Sequence, residues 1–119
     1  PCSFTSTCHV IHLPPFVKGA ERLFLEKELD YLCCVTTNDP YVLDKWRESF
    51  GNSKITFLSD GNYELLNSTQ LIRNYEKSFM GDRFIRSIIV VKNLEITDII
   101  YDNPGELDKT SFESILKTL

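Results

Sequence analysis

The chain is 119 residues long, with 42% hydrophobic and 25% charged residues, which fits one globular domain and excludes an intrinsically disordered chain. Its net charge of −4 and pI of about 5.1 argue against a nucleic-acid or anionic-membrane partner. The longest apolar run, Tyr31 to Val35, is too short to cross a membrane. We therefore expect a single domain over residues 1–119 that binds neither nucleic acid nor membrane.

The first half of the chain predicts alternating helices and strands. Pro14 and Pro15 should break or kink the first helix near Leu13. Asp39 followed by proline is typical of a helix start, and Gly51 predicts the end of that helix. The predicted elements are a loop over 1–8, a helix over 7–29, a strand over 31–37 buried on both faces, a helix over 40–50 and a strand over 55–58.

The second half completes an α/β pattern. The predicted elements are a short helix over 63–71, an irregular segment over 73–86 with a hinge at Gly81, a hairpin of strands 87–91 and 95–101, and a closing helix over 109–119 with Phe112, Ile115, Leu116 and Leu119 inward. This order predicts a thioredoxin-like fold, with a central mixed sheet flanked by helices. The first strand of such a sheet is lacking, so we expect residues to precede Pro1 in the native protein.

The most reactive candidate is Cys8, which lies where the first predicted helix begins. A thiol in the first helical turn is close to the positive end of the helix dipole and to unpaired N–H groups, for which Thr5 or Thr7 is a candidate cap. Both effects favour the thiolate. A buried structural cysteine is the alternative interpretation. Cys33 and Cys34 are predicted core residues, and no pair has the spacing of a disulfide-rich fold.

Two histidines and two arginines are further candidates. His9 and His12 follow Cys8 closely, which allows a metal half-site or a Cys–His nucleophile pair. Further ligands at typical spacing are missing, so we expect no metal; the alternative for His12 is a core histidine hydrogen-bonded to backbone. Arg83 and Arg86 precede a predicted buried strand, where a guanidinium requires a salt-bridge partner or a site to face.

These residues combine into a recognisable pattern. The spacing Pro1-x3-Thr5-x2-Cys8 resembles the active-site signature of the peroxiredoxins, and the segment Pro1–Cys8 resembles their type II branch, the peroxiredoxin 5 subfamily. The resemblance spans essentially the whole chain. It continues through His12-Leu13-Pro14, Phe16-Val17, the Asn38-Asp39-Pro40 turn, residues 57–62, Gly81-x-Arg83, Arg86 and Val90-Val91.

The resemblance implies a thiol-dependent peroxidase with an antioxidant role. Such an enzyme reduces hydrogen peroxide and alkyl hydroperoxides through a cysteine sulfenic acid, without metal or organic cofactor. By this resemblance Cys8 is the peroxidatic cysteine, Thr5 hydrogen-bonds the thiolate and the peroxide, and Pro1 shields the sulfur from water. Arg86 is expected to hold the anion and polarise the peroxide, with Arg83 in a supporting role.

The same resemblance implies an external thiol as reductant, either glutathione with glutaredoxin or thioredoxin, and a homodimer formed near the active site. No cysteine follows Cys34, and Cys33 and Cys34 lie in a predicted rigid strand, so we expect neither to resolve Cys8. Cys2 is a weaker third candidate. We expect the cytoplasm as the compartment, or a mitochondrion or plastid if a targeting segment precedes Pro1.

The chain departs from the family pattern at three positions. Cys2 stands where glycine is usual, Ser6 where proline is usual, and Pro15 where glycine is usual. A non-catalytic thioredoxin-like domain for redox sensing or protein interaction is therefore the alternative function. A cysteine-dependent hydrolase is a second alternative, which requires a histidine rather than Arg86 beside the Cys8 sulfur.

Overall fold

The computed structural model describes residues 1–119 and has the predicted alternation of helices and strands. None of its helices combines the length and apolar character needed to cross a membrane. In chain order the elements are a π-helical segment (Ser6–His12), α1 (Leu13–Glu26), β1 (Cys33–Thr36), α2 (Pro40–Ser49), β2 (Thr56–Ser59), α3 (Glu64–Thr69), β3 (Ile72–Asn74), a 3₁₀ turn (Glu76–Ser78), β4 (Asp82–Phe84), β5 (Ser87–Lys92), β6 (Glu95–Tyr101) and α4 (Phe112–Thr118).

The strands pair two by two. Strand β1 runs parallel to β2, whereas β3 with β4 and β5 with β6 are antiparallel. The mixture of parallel and antiparallel pairs agrees with the predicted topology. The pairs are not joined by hydrogen bonds into one continuous sheet, so the expected central sheet is present as three ribbons.

The main core lies between the helices and the β1–β2 pair. The buried residues of α1 and α2 recur at the spacing of amphipathic helices, which place one apolar face on the core. The prediction that Leu119 points inward is wrong, because it lies beyond the end of α4 and is 37% exposed. The core residues are Cys8, Leu13, Phe16, Ala20, Leu23, Leu43, Trp46, Ile55 and Ile115.

The first helix changes type where the two prolines occur. The N–H of Leu13 donates to the carbonyl of Cys8, five residues earlier, which is the π-helical pattern. Pro14 and Pro15 then occupy the first turn of α1, where their missing N–H groups cost nothing. At the predicted break near Leu13, the helix therefore changes from π to α geometry without an intervening loop.

The second helix begins as the sequence predicts. The Asp39 carboxylate accepts hydrogen bonds of 2.9 Å from the N–H groups of Tyr41 and Val42. Gly51, at a φ of +71°, follows the last turn and ends the helix. These two signals depend only on local backbone chemistry, which is why they could be read without the tertiary structure.

Two other predictions are wrong. The strand containing Cys33 and Cys34 is not buried on both faces: Cys34 packs on the main core, but Cys33 points to the opposite face and is exposed. The segment 73–86, predicted to be irregular, contains the antiparallel ribbon β3–β4, with Arg73 opposite Arg83. Its strands are only three residues long and charged, so no hydrophobic alternation marks them.

Gly19 provides a test of helix packing. A Cβ at this position would overlap the ring of Phe112, which packs edge-to-face on Phe16 with ring centroids 5.5 Å apart. Gly19→Ala is therefore expected to push α4 from α1 and lower the free energy of unfolding by about 1–3 kcal/mol, despite the better helix propensity of alanine. Urea denaturation measures this. Lys18→Ala is the exposed control, and equal stability of the two variants would contradict the packing argument.

Candidate active site

The loop at the start of the chain is tied to the end of β1. The N–H of Ser3 donates to Asn38 Oδ1 at 2.9 Å, and the Thr36 hydroxyl donates to the same oxygen at 3.1 Å. The loop therefore sits at the carboxyl end of a strand, a usual place for sites in α/β folds. Asn38 was assigned only to a helix start from the sequence; its role as an anchor depends on a contact 35 residues away.

Cys8 is the third residue of the π-helical segment and is only 4% exposed. Burial alone would raise the pKa of its thiol. Hydrogen bonds from the Cys2 backbone, the Thr5 hydroxyl and Arg86 oppose this effect and lower the pKa of the thiol below its ordinary value. The surroundings of Cys8 therefore favour the thiolate, the reactive form of cysteine.

The lowered pKa of Cys8 predicts how its reactivity changes with pH. The rate of oxidation by hydrogen peroxide should rise as the thiol ionises and reach its plateau at a lower pH than for an ordinary cysteine. Burial raises the pKa of Cys34 to about 12, so its thiol contributes little thiolate in this range. Rapid-mixing measurements of the fluorescence of Trp46, the single tryptophan, provide the rates. A midpoint near pH 9 would show that the surroundings do not favour the thiolate.

Arg86 reaches the sulfur from the segment between β4 and β5. Its Nη1 lies 3.5 Å from Cys8 Sγ and 3.2 Å from His12 Nδ1. His12 Nε2 lies 2.8 Å from the carbonyl of Thr110, which can only accept, so Nε2 is the protonated nitrogen. Burial lowers the pKa of His12 to about 4, which keeps it neutral and leaves Nδ1 free to accept from Arg86.

This arrangement bears on the hydrolase alternative. A Cys–His nucleophile pair requires an imidazole nitrogen at the sulfur, but both nitrogens of His12 are used by Arg86 and Thr110. His9 Nδ1 accepts a hydrogen bond of 2.8 Å from the indole of Trp46. A guanidinium therefore lies beside Cys8 where a hydrolase needs a histidine, and His12 is the backbone-bonded histidine that the sequence allowed.

A buried network supports His12 from behind. Thr110 and Asp102 are almost fully buried, and the Thr110 hydroxyl donates to Asp102 Oδ2 at 2.6 Å. The same carboxylate accepts the N–H groups of Asp108, Lys109 and Thr110. Although burial opposes ionisation, these hydrogen bonds hold the pKa of Asp102 below its usual value. Sequence reasoning missed both residues, since only the folded chain brings them behind the site.

Thr5 lies in the N-cap position but does not cap the helix. Its hydroxyl donates instead to the carbonyl of Cys2 at 2.9 Å, so the capping prediction is wrong for Thr5. A hydroxyl has one proton, which it gives either to this carbonyl or, after rotation, to the Cys8 thiolate. Pro1 is half-buried and lines a cleft together with Arg86. The structure thus gathers Thr5, Cys8 and Arg86, and Pro1 lines the same cleft as Arg86.

All four thiols are unpaired, but they differ in environment. Cys2 is buried beside Cys8, and burial raises its pKa despite the nearby positive charge of Arg83. Burial also raises the pKa of Cys34. It raises the pKa of Cys33 as well, although that side chain is exposed. Cys8 is the one cysteine whose surroundings favour the thiolate.

Comparisons with known proteins agree with this arrangement. The family model for Redoxin matches residues 1–116. Peroxiredoxin-2D from Arabidopsis thaliana is 33% identical over 120 residues, which cover all of this chain and 74% of that protein. The structure of reduced Prx3 from Vibrio vulnificus in complex with hydrogen peroxide matches with a TM-score of 0.92 and 28% identity, covering all of this chain and 76% of that one.

A further structure, the Plasmodium falciparum antioxidant protein, a 1-Cys peroxiredoxin, matches with a TM-score of 0.90 and 26% identity over 97% of this chain and 71% of that one. The fold is thus the thioredoxin-like fold of the redoxins. The chain belongs to the peroxiredoxin family, in its type II branch, and it is a thiol-dependent peroxidase. The alternative of a non-catalytic domain gains no support from these matches.

Proposed function

We propose that Cys8 is the peroxidatic nucleophile of this enzyme and that Thr5, Arg86 and Pro1 assist it. The observation that supports this most directly is the 3.5 Å contact between Arg86 Nη1 and Cys8 Sγ, which joins residues 78 positions apart. A permanently charged guanidinium beside a sulfur of lowered pKa stabilises the thiolate before the reaction and the leaving oxygen during it.

The reaction is the attack of the Cys8 thiolate on one oxygen of a peroxide. A sulfur–oxygen bond forms, the oxygen–oxygen bond breaks, and the sulfur loses two electrons to give the sulfenic acid. The leaving oxygen departs as hydroxide or alkoxide and takes a proton from water. Arg86 donates to the charge that moves onto this oxygen, Thr5 orients the peroxide by rotating its hydroxyl from the Cys2 carbonyl, and Pro1 excludes water.

An external thiol returns the sulfenic acid to the thiol. Glutathione attacks the sulfur, water leaves, and a second thiol, from glutaredoxin or from another glutathione, releases Cys8 by disulfide exchange. Thioredoxin is the other candidate reductant. Burial raises the pKa of Cys2 and Cys34, so both stay protonated and are poor attacking groups at neutral pH. We therefore propose a cycle that uses one cysteine of the chain.

The one-cysteine cycle has a direct test. After treatment with one equivalent of hydrogen peroxide, mass spectrometry under non-reducing conditions should find oxidised Cys8, and then a mixed disulfide when glutathione is added. No disulfide from Cys8 to Cys2, Cys33 or Cys34 is expected. A major intramolecular disulfide, together with lost turnover when that partner is changed to serine, would overturn the proposal.

The quaternary state and the compartment are also proposals. We propose a homodimer formed near the active site, and the exposed apolar side chains of Val10 and Ile11 on the π-helical segment support this surface. Residues 1–119 are proposed to be a single peroxiredoxin domain. Four unpaired cysteines fit a reducing compartment, for which we propose the cytoplasm. Analytical ultracentrifugation tests the homodimer, and cell fractionation tests the compartment.

A further inference from the structure

Three arginines, Arg73, Arg83 and Arg86, have no carboxylate partner. The four ion pairs of the chain all join other residues. The chain has 17 acidic residues and a net charge of −4, so carboxylates are available elsewhere on its surface. Positive charge kept unpaired next to an active site points to a negatively charged ligand rather than to stability.

The β3–β4 ribbon places two of these arginines directly opposite each other. Arg73 and Arg83 are partners in its antiparallel register, and such partners point to the same face, where like charges repel. Arg83 Nε donates to the Met80 carbonyl at 2.8 Å, but its Nη1 is buried without any partner. A buried charged donor without an acceptor is costly, so the ribbon holds positive charge that forms no ion pair within the chain.

A small surface cleft lies beside this charge. Arg73, Arg86, Tyr75 and Pro1 line it. The Arg73 guanidinium lies 4.7 Å from the centroid of the Tyr75 ring, a stacking contact that fixes its orientation. Arg86 uses Nη1 for Cys8 and His12, while its Nε and Nη2 have no partner. Two guanidinium groups with free donors thus meet in a cleft that shares Arg86 with the site of Cys8.

We propose that this cleft binds the carboxylate of a reagent that reacts with Cys8, held by Arg73 and Arg86 while Arg83 adds positive potential from the neighbouring strand. The proposal rests on the proposed role of Cys8 as nucleophile. The planar fork of a guanidinium matches the two oxygens of a carboxylate. Glu106 and Asp102 also line the cleft, and neither forms an ion pair with Arg73 or Arg86.

Two kinds of reagent carry such a carboxylate. One is a thiol peptide such as glutathione, which attacks the sulfenic acid, and the other is an organic hydroperoxide with an acid group, which oxidises the thiolate. The experiment therefore has two arms, each comparing a charged reagent with a neutral one. The first compares glutathione with 2-mercaptoethanol as captors of oxidised Cys8. The second compares a fatty-acid hydroperoxide with tert-butyl hydroperoxide as oxidants.

The variant is Arg73→Gln. In each arm, the measured quantity is the rate with the charged reagent divided by the rate with the neutral reagent. Using the ratio cancels any change in the intrinsic reactivity of Cys8. The matched control is Arg47→Gln, because Arg47 is exposed on α2 and pairs only with Asp44. We expect Arg73→Gln to lower the ratio roughly three- to ten-fold in the arm whose reagent uses the cleft, and Arg47→Gln to change neither ratio.

Arg73→Lys should restore part of the preference, because it keeps the charge but lacks the fork. Rising salt should lower the ratio of the unmodified protein, which tests the proposal even if Arg73→Gln does not fold. Ratios that stay unchanged in both arms, that do not respond to salt, or that fall equally in Arg47→Gln would overturn it. Failure of Cys8 itself as nucleophile would appear separately, as the absence of oxidation by tert-butyl hydroperoxide.

Discussion

Changing Cys8 to serine is expected to abolish peroxide turnover while the fold remains intact. The two side chains are nearly isosteric, so the site in the main core where Cys8 packs is retained. The serine hydroxyl stays protonated at neutral pH, whereas the surroundings lower the pKa of the Cys8 thiol below its ordinary value. The serine oxygen also cannot be oxidised to the equivalent of a sulfenic acid. The variant therefore lacks both the nucleophile and the intermediate of the reaction.

Peroxide consumption with an excess of reductant measures this loss, and circular dichroism with thermal melting verifies the fold. Cys33→Ser is the matched control, because Cys33 is exposed on β1 and lies outside the core cluster that contains Cys8. It should retain full turnover. Substantial peroxidase activity in Cys8→Ser, or an equal loss in Cys33→Ser, would show that another group is the nucleophile.

The features that sequence reasoning predicted well are those that depend on neighbouring residues. The cap at Asp39, the stop at Gly51 and the β5–β6 hairpin all follow from local backbone chemistry. Cys8 likewise belongs to a short motif, which spans only residues 1–8. Its place in the first turn of a helix could be predicted directly. Arg86 was placed at the sulfur only through the family resemblance, since no local pattern links it to Cys8.

The features that were missed depend on contacts between distant segments. His12 reads as a core histidine until Arg86 and Thr110 are brought to its two nitrogens. The exposure of Cys33 depends on which face of β1 the helices cover, and an apolar run alone does not reveal this. The strands of the β3–β4 ribbon are three residues long and only Phe84 among them is buried, so no apolar alternation marks them. The local signals thus predicted the nucleophile, while tertiary pairing decides the electrostatics around it.

The second large effect is expected for Arg86→Gln. This change should raise the activation free energy for the oxidation of Cys8 by about 2–4 kcal/mol, the effect of removing one donor from an oxyanion site. The contribution of Arg86 to the pKa of Cys8 is smaller than those of the Cys2 backbone and the Thr5 hydroxyl, so most of the loss should persist above pH 8. The neutral amide of glutamine cannot stabilise the charge that moves onto the leaving oxygen as a guanidinium does.

Rapid-mixing kinetics across pH separate these two effects, since a change in pKa moves the midpoint and a change in transition-state binding lowers the plateau. Arg86→Lys should retain part of the plateau rate, because it keeps the charge while losing the fork that contacts both Cys8 and His12. Arg47→Gln again provides the control for lost surface charge. A normal plateau rate in Arg86→Gln would contradict a role in the reaction. If the melting temperature were also lowered, Arg86 would be a structural residue that links the π-helical segment to the β5–β6 hairpin.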